Sequence, residues 1–573
     1  MQIEGLQLIN GKARSASLDG NGGCINVQSG ASLLIRRSTL TLSSADKLGG
    51  ALYLAAGASL NVSDSTFGHC SALDKGGAVY SEGTLVVSRC QFHDATANDD
   101  GGALFARTSV LTITDSEIRD AVAGDDGGAI RLITDASLYA RGLRIVGCSA
   151  GDQGGGIYAS IRCALILSNT TLEGNAAADH GGAVGLMTDT VLQATGLLVT
   201  KCTAGDEGGG IYASTRCTLI LFNTTLEGNA AADDGGGVRL VTDTVLQATG
   251  LMIARCTAAD DGGGIYASTR CTLSLSNTTL ESNVAEDDGG GVRLRTDTVL
   301  RATGLLIAKC AANNDGGGIY ASTRCTLSLS NTTLEGNAAA DHGGGLAISS
   351  HCAAELYHSS VSSNSAGKQG GGIAVGVRVG LLPSANVGGY SSIRFFFCSI
   401  DGNIARDGGG GINAYKDVSI TLSRSVIQNN QGGEQQGGGL KLREVTLHAQ
   451  RSTFLKNTAK YGGGVYATSG SNLLFTSSTV DFNSASRSGG GIYISESTLV
   501  VSNCSIAKNV AQSRAGGVYS DESSLAIING SRVRGNLAGS VAGGILMTDS
   551  QLSVRQSSLE ENMAQSGKTM LLV

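Results

Sequence analysis

Twenty residues, GGGIYASTRCTLSLSNTTLE, occur twice without a change, at Gly262–Glu281 and at Gly316–Glu335. A related unit starts midway, at Gly289, so the underlying period is 27 residues. Glycine clusters carry that period along the chain: Gly22, Gly49, Gly76, Gly101, Gly127 and Gly154, then every 27 residues from Gly181 to Gly370. They resume at Gly409, Gly437, Gly462 and Gly489, with degenerate forms at Ala515 and Ala542. A fixed period of this length marks a solenoid, in which a unit too small to bury its own apolar side stacks on the next.

Each unit alternates apolar and polar residues in short patches, as in Ile265 and Ala267, Leu273 and Leu275, then Leu280. Such patches, separated by Gly, Asn, Asp and Ser, are too short for helices, and their period of two fits strands with one face inward. Three short strands per unit, stacked coil on coil, predict an all-β, single-stranded parallel β-helix solenoid of about twenty coils of roughly 27 residues. The 85 glycines supply turns, and a single proline fits a stack in which nearly every strand donates its N–H to a neighbour. Residues 1–573 are expected to form one continuous β-helix. Met1–Ala13 has no basic segment leading into an apolar one, and Met570–Val573 stops without a polar cap. The chain is therefore expected to be a fragment lacking its native terminal caps.

Stacking turns equivalent positions into columns. At the ninth position of the unit, Asp135, Arg162, Asp189, Arg216, Asp243, Arg270, Asp297 and Arg324 alternate in sign, which predicts an ionic ladder of solvated pairs. A neighbouring column sets Tyr158, Tyr212, Tyr266 and Tyr320 against Gly185, Arg239 and Arg293, a spacing suited to cation–π stacking. Another alternates Asn175, Cys202, Asn229, Cys256, Asn283, Cys310 and Asn337, where Asn can satisfy corner amides and Cys packs as a small apolar group. Cys163, Cys217, Cys271 and Cys325 recur two coils apart, beyond disulfide reach, so disulfides within either column are not expected.

Formal net charge is −7, with no basic block, so no nucleic-acid partner is expected. No run is apolar and long enough for a transmembrane segment. Acidic pairs precede the glycine turns, among them Asp233 and Asp234, Asp260 and Asp261, Asp287 and Asp288. Like charges one strand spacing apart repel. Either nearby Arg or Lys and solvent meet them, or a hard cation does, and oxygen ligands would select calcium. No cofactor is expected beyond that calcium alternative.

The period breaks once, between Gly370 and Gly409. Residues 375–394 contain a 12-residue insertion with the sole proline, Pro383, and Phe395–Phe397 follow it, part of that run returning inward as a strand. A protruding loop here is a candidate partner-binding site, through Arg378, Leu381, Leu382, Tyr390 and Arg394. Asn-x-Ser/Thr sequences at Asn169, Asn223, Asn277 and Asn331 fall on alternate coils.

The turns at Gly49–Leu52, Gly101–Leu104 and Gly127–Ile130 alternate with FxxN-like segments such as Phe454–Asn457, Leu226–Asn229, Leu334–Asn337 and Ile400–Asn403. This pattern resembles the repeats of chlamydial polymorphic outer-membrane proteins and is similar to the wider pectin-lyase-like superfamily. The resemblance covers practically the whole chain and implies right-handed coiling. For the polymorphic group it also implies an extracellular or cell-surface location and adhesion. Leu often stands where that pattern has Phe, Cys alternates with Asn, and the chain shows no autotransporter barrel.

Polysaccharide lyases and hydrolases of that superfamily set acidic residues in a groove walled by long loops. This chain has short loops, and a repeated row of carboxylates gives every copy the same environment, whereas glycosidic acid–base work needs two carboxyls of unlike pKa. No catalytic residue is assigned. The expected function is a non-enzymatic structural or adhesive rod presenting a repetitive surface to a glycan or protein partner, with a carbohydrate-active β-helix enzyme as the competing reading.

Overall fold

The computed structural model describes residues 1–14, 19–376, 390–566 and 570–572. The fold is all-β: a single-stranded, right-handed parallel β-helix of about 20 turns with ~27-residue spacing. Two compact units divide it, Met1–Ala285 and Glu286–Val573. Among the described residues no helix is long and apolar enough to cross a membrane.

One coil of the first unit shows how the repeat works. Strands run over Ile265–Thr269, Thr272–Ser276, Thr279–Glu281 and Val284–Ala285. The two-residue fourth strand is one more than the sequence reading expected, because a single apolar residue, Ala285, suffices to point inward there. Between strands the chain turns on left-handed residues: Gly262 (φ 70°), Arg270 (52°), Asn277 (46°) and Ser282 (56°). One such residue bends the backbone without needing a loop, so the coil stays short. Register places like on like, with Leu273 beside Leu246, Leu275 beside Ala248, Leu280 beside Ile253 and Ala285 beside Ala258. These side chains are buried and form the core columns.

The glycine cluster is a requirement of close stacking. A Cβ on Gly236 would meet the carbonyl oxygen of Gly263 in the next coil at 2.6 Å, and one on Gly237 would meet that of Gly264 at 2.6 Å. Inside the coil, polar columns satisfy the corner amides. In the first unit the N–H groups of Cys148, Cys202 and Cys256 donate to Oδ1 of Asn175, Asn229 and Asn283 at 2.9–3.0 Å. In the second unit the column is asparagine throughout from Asn337 to Asn562, and Nδ2 of Asn337, Asn364 and Asn403 each donates to Oδ1 of the following member at 3.0 Å. All 14 cysteines are free thiols, and all but Cys24 are buried. Burial pushes Cys70 and Cys148 up to about 12, and Cys202, Cys217 and Cys256 up to about 11.

Around the break in period, Val375 ends a strand and Ser391–Phe396 forms another. Ser392, Ile393 and Arg394 pair in register with Ala353, Ala354 and Glu355. Arg394 therefore stands on a strand, not in the loop where the sequence reading placed it, because the β-ladder is already re-formed at Ser391.

Candidate functional site

The coil that follows the break carries exposed aromatic residues. Along Ser391–Phe396 the side chains alternate, so Phe395 points into the core while Phe396 is half-buried. Phe397 then occupies the left-handed corner (φ 57°). In earlier coils this corner holds Asn169, Asn223, Asn277 and Asn331, at φ 46–48°. Asparagine tolerates that conformation, whereas a bulky ring is strained there. His358 (φ 48°) and Arg424 (φ 50°) share the corner column in the flanking coils.

The rings form one connected surface. His358 stacks on Phe397, with centroids 4.9 Å apart and planes 14° from parallel. Tyr357 meets His358 edge-on at 4.3 Å and Phe397 at 5.8 Å, and the Arg424 guanidinium lies 5.3 Å from the Phe397 centroid. Tyr357 is 47% exposed and Phe397 40%. His358, Phe397 and Arg424 border a hollow of about 480 Å³ whose lining includes Thr333, Ser360 and Val426. On the same outward face Arg394 donates to Glu355 at 3.0 Å, and Tyr390 is 84% exposed. Of the five loop residues singled out by sequence, Tyr390 precedes the strand Ser391–Phe396 that leads to this corner, and Arg394 stands on it. Arg378, Leu381 and Leu382 lie outside the described residues.

The charged column resolves into discrete bidentate pairs. Arg162 Nε and Nη2 donate to Asp135 at 2.7 and 2.8 Å, and Arg216 donates to Asp189 at 2.7 and 2.9 Å. Arg270 repeats this on Asp243 at 2.7 and 2.9 Å, and Arg324 on Asp297 at 2.6 and 2.8 Å. Hydrogen bonding from the guanidinium holds Asp135, Asp189 and Asp243 below the usual carboxylate range.

The acidic pairs separate into two rows. Asp233, Asp260 and Asp287 are exposed, while Asp234, Asp261 and Asp288 are half-buried beside the aromatic column. Asp234 accepts the N–H of Asp261 at 3.2 Å and lies 3.5 Å from Arg239 Nη2. Asp288 accepts the N–H of Asp315 at 3.0 Å and lies 3.6 Å from Arg293. Backbone amides and buried guanidiniums thus take up oxygen lone pairs that a calcium ion would use. Burial pushes Asp126 and Asp234 up to about 6, against the opposing pull of Arg131 and Arg239.

Those arginines also stack as the column spacing requires. Arg131 lies over Tyr158 at 3.9 Å, Arg239 over Tyr266 at 4.0 Å and Arg293 over Tyr320 at 4.1 Å. Gly185 leaves the guanidinium's place empty, and His180, from the row that elsewhere holds the inner acids, stacks on Tyr212 at 4.5 Å instead. Each of these rings thus has a face covered by an arginine or, at Tyr212, by His180.

Among the described residues, two side-chain clusters have the composition and spacing to hold a metal ion: His69 with His93 and Asp94, and Asp315 with Asp341 and His342. Neither was singled out in the sequence. Asp94 follows His69 by 25 residues, the local spacing between Gly76 and Gly101, and that was the available signal.

A family model described as a right handed beta helix region matches residues 101–299 and 384–559, well over half of the chain. No curated protein matches it.

Proposed function

The chain belongs to the right-handed β-helix family, and from that premise we propose that it is a non-enzymatic structural or adhesive scaffold. It presents its repetitive surface to protein or glycan partners, outside the cell or at its surface, in the manner of the polymorphic outer-membrane repeats and within the broader pectin-lyase-like group. The observation that carries this reading is the aromatic corner of Tyr357, His358 and Phe397. Phe397 is kept exposed in a left-handed conformation that costs on the order of 1 kcal/mol for a bulky residue. Exposed, strained aromatic surface at the one break in a regular repeat is what a capture site requires. The Arg–Asp column and the Arg–Tyr stacks, by contrast, pair with their neighbours in adjacent coils and serve to hold register. The exposed acidic row acts as a solubility device, and calcium would be an accessory there rather than a cofactor.

The test is capture on glycan and protein arrays by the full chain, by Tyr357→Ala and Phe397→Asn, and by Arg216→Ala as a ladder control. Binding that both corner variants lose and the ladder variant keeps is expected. Capture unaffected by either corner substitution would remove the assignment.

A further inference from the structure

The cluster of His69, His93 and Asp94 lies in the first unit, on a corner of the coil, and belongs to none of the register columns. His93 Nδ1 is 2.9 Å from Asp94 Oδ2, and His69 Nδ1 is 3.6 Å from the same oxygen. The ligand atoms all fall within 4.8 Å of one another. A tetrahedral site with metal–ligand bonds of about 2.0–2.1 Å has edges of about 3.4 Å, so these separations bracket the required geometry. The two imidazoles stand edge to face, centroids 5.2 Å apart.

A second feature points the same way. Gly68 lies within a strand, Thr66–Gly68, opposite His93 in the next coil. Its φ is not positive, so no turn demands glycine there. Other coils carry side chains at this position, such as Thr41 and Arg119. A Cβ at residue 68 would meet Nε2 of His93 at 2.6 Å. Glycine in a strand marks a close approach, and here the group approaching is the imidazole of a candidate ligand.

We propose that His69, His93 and Asp94 bind a divalent transition-metal ion of the zinc class. Two imidazole nitrogens and one carboxylate oxygen suit zinc, copper(II) or cobalt(II) and disfavour calcium. The neighbouring charges leave the site available: Arg119, opposite His93, lies 3.6 Å from Asp120. In the other cluster Lys368 already donates to Asp341 at 2.5 Å, and His342 lies 2.9 Å from Asp315. Binding needs the Nδ1 lone pair of each imidazole, so the Nδ1 proton that now faces Asp94 moves to Nε2, or from an imidazolium to solvent. His69 and Asp94 are exposed, which leaves the remaining coordination positions to water or to a group of a bound partner.

Calorimetric titration of the chelator-stripped full chain with Zn²⁺, and cobalt(II) absorption as a tetrahedral signature, test the site. One saturable site is expected, weakened at least tenfold in His93→Ala, Asp94→Asn and Gly68→Ala and unchanged in His448→Ala. Gly68→Ala displaces only the far end of a flexible side chain, so its circular dichroism should match the parent and separate loss of the site from loss of fold. No saturable zinc binding, or affinity in His93→Ala and Gly68→Ala equal to the parent's, would overturn the proposal.

Discussion

Replacing Arg239 with alanine should cost far more than removing a rung of the exposed ladder. Arg239 is 5% exposed. Its Nη2 donates to Glu207 at 2.8 Å, its Nη1 to the Leu240 carbonyl at 3.0 Å, and its guanidinium covers Tyr266 at 4.0 Å. A charge-assisted hydrogen bond contributes about 1.5–3 kcal/mol and a desolvated cation–π contact about 1–2 kcal/mol. Against this, Nε has no hydrogen-bond acceptor, and removing that buried donor returns about 1 kcal/mol. The net expectation is a loss of about 2–3 kcal/mol, or roughly 30- to 150-fold in local opening. Arg216→Ala, on exposed and solvent-screened Asp189, should change stability far less. Hydrogen exchange by mass spectrometry over residues 186–269, with urea melting as a global check, reads both. Adding Asp234→Asn to Arg239→Ala should recover part of the loss, because an unpaired carboxylate disappears with it. Equal protection in Arg239→Ala and Arg216→Ala would refute the buried-stack account.

Three further outcomes are expected. Leu273→Asp sets a charge at a fully buried position beside Leu246 and should cost upwards of about 4 kcal/mol in urea melting. Asp126 and Asp234 have folded pKa values raised to about 6, above an unfolded value of about 3.9. Their stabilising effect is full below the unfolded pKa and is lost as pH rises through 6, so stability should increase on going from pH 7 to pH 5, by about 1 kcal/mol per site after solvent screening. Asp126→Asn with Asp234→Asn should flatten that rise. Phe397→Asn relieves a strained corner and gives up one ring stack, two effects of about 1 kcal/mol each. Its melting should stay near the parent while capture is lost.

The strict period made much of this molecule legible. Once Leu246 and Leu273, or Arg239 and Tyr266, are one period apart, parallel stacking dictates that they touch, and the Arg–Tyr and Arg–Asp contacts follow from position alone. What the pattern could not show are contacts made by side chains that leave their own column. His180 crosses from the acidic row to cover Tyr212 because Gly185 leaves space. His93 leans over Gly68, and the Tyr357–His358–Phe397 surface joins a strand position to a corner position. The insertion was visible as a break in phase, but the return to the ladder at Ser391 depends on pairing with Ala353–Tyr357, which spacing alone does not fix. Ala285, a lone inward residue between corners, was too short a signal to read as a strand.

The central claim, capture by a scaffold that performs no chemistry on its partner, is tested most directly by recovering an array-captured partner after prolonged incubation with the full chain and measuring its length by mass spectrometry. The account predicts a partner of unchanged length, bound by the parent and not by Phe397→Asn. A shortened glycan or peptide that accumulates with time in proportion to the protein added would contradict it and make the β-helix an enzyme.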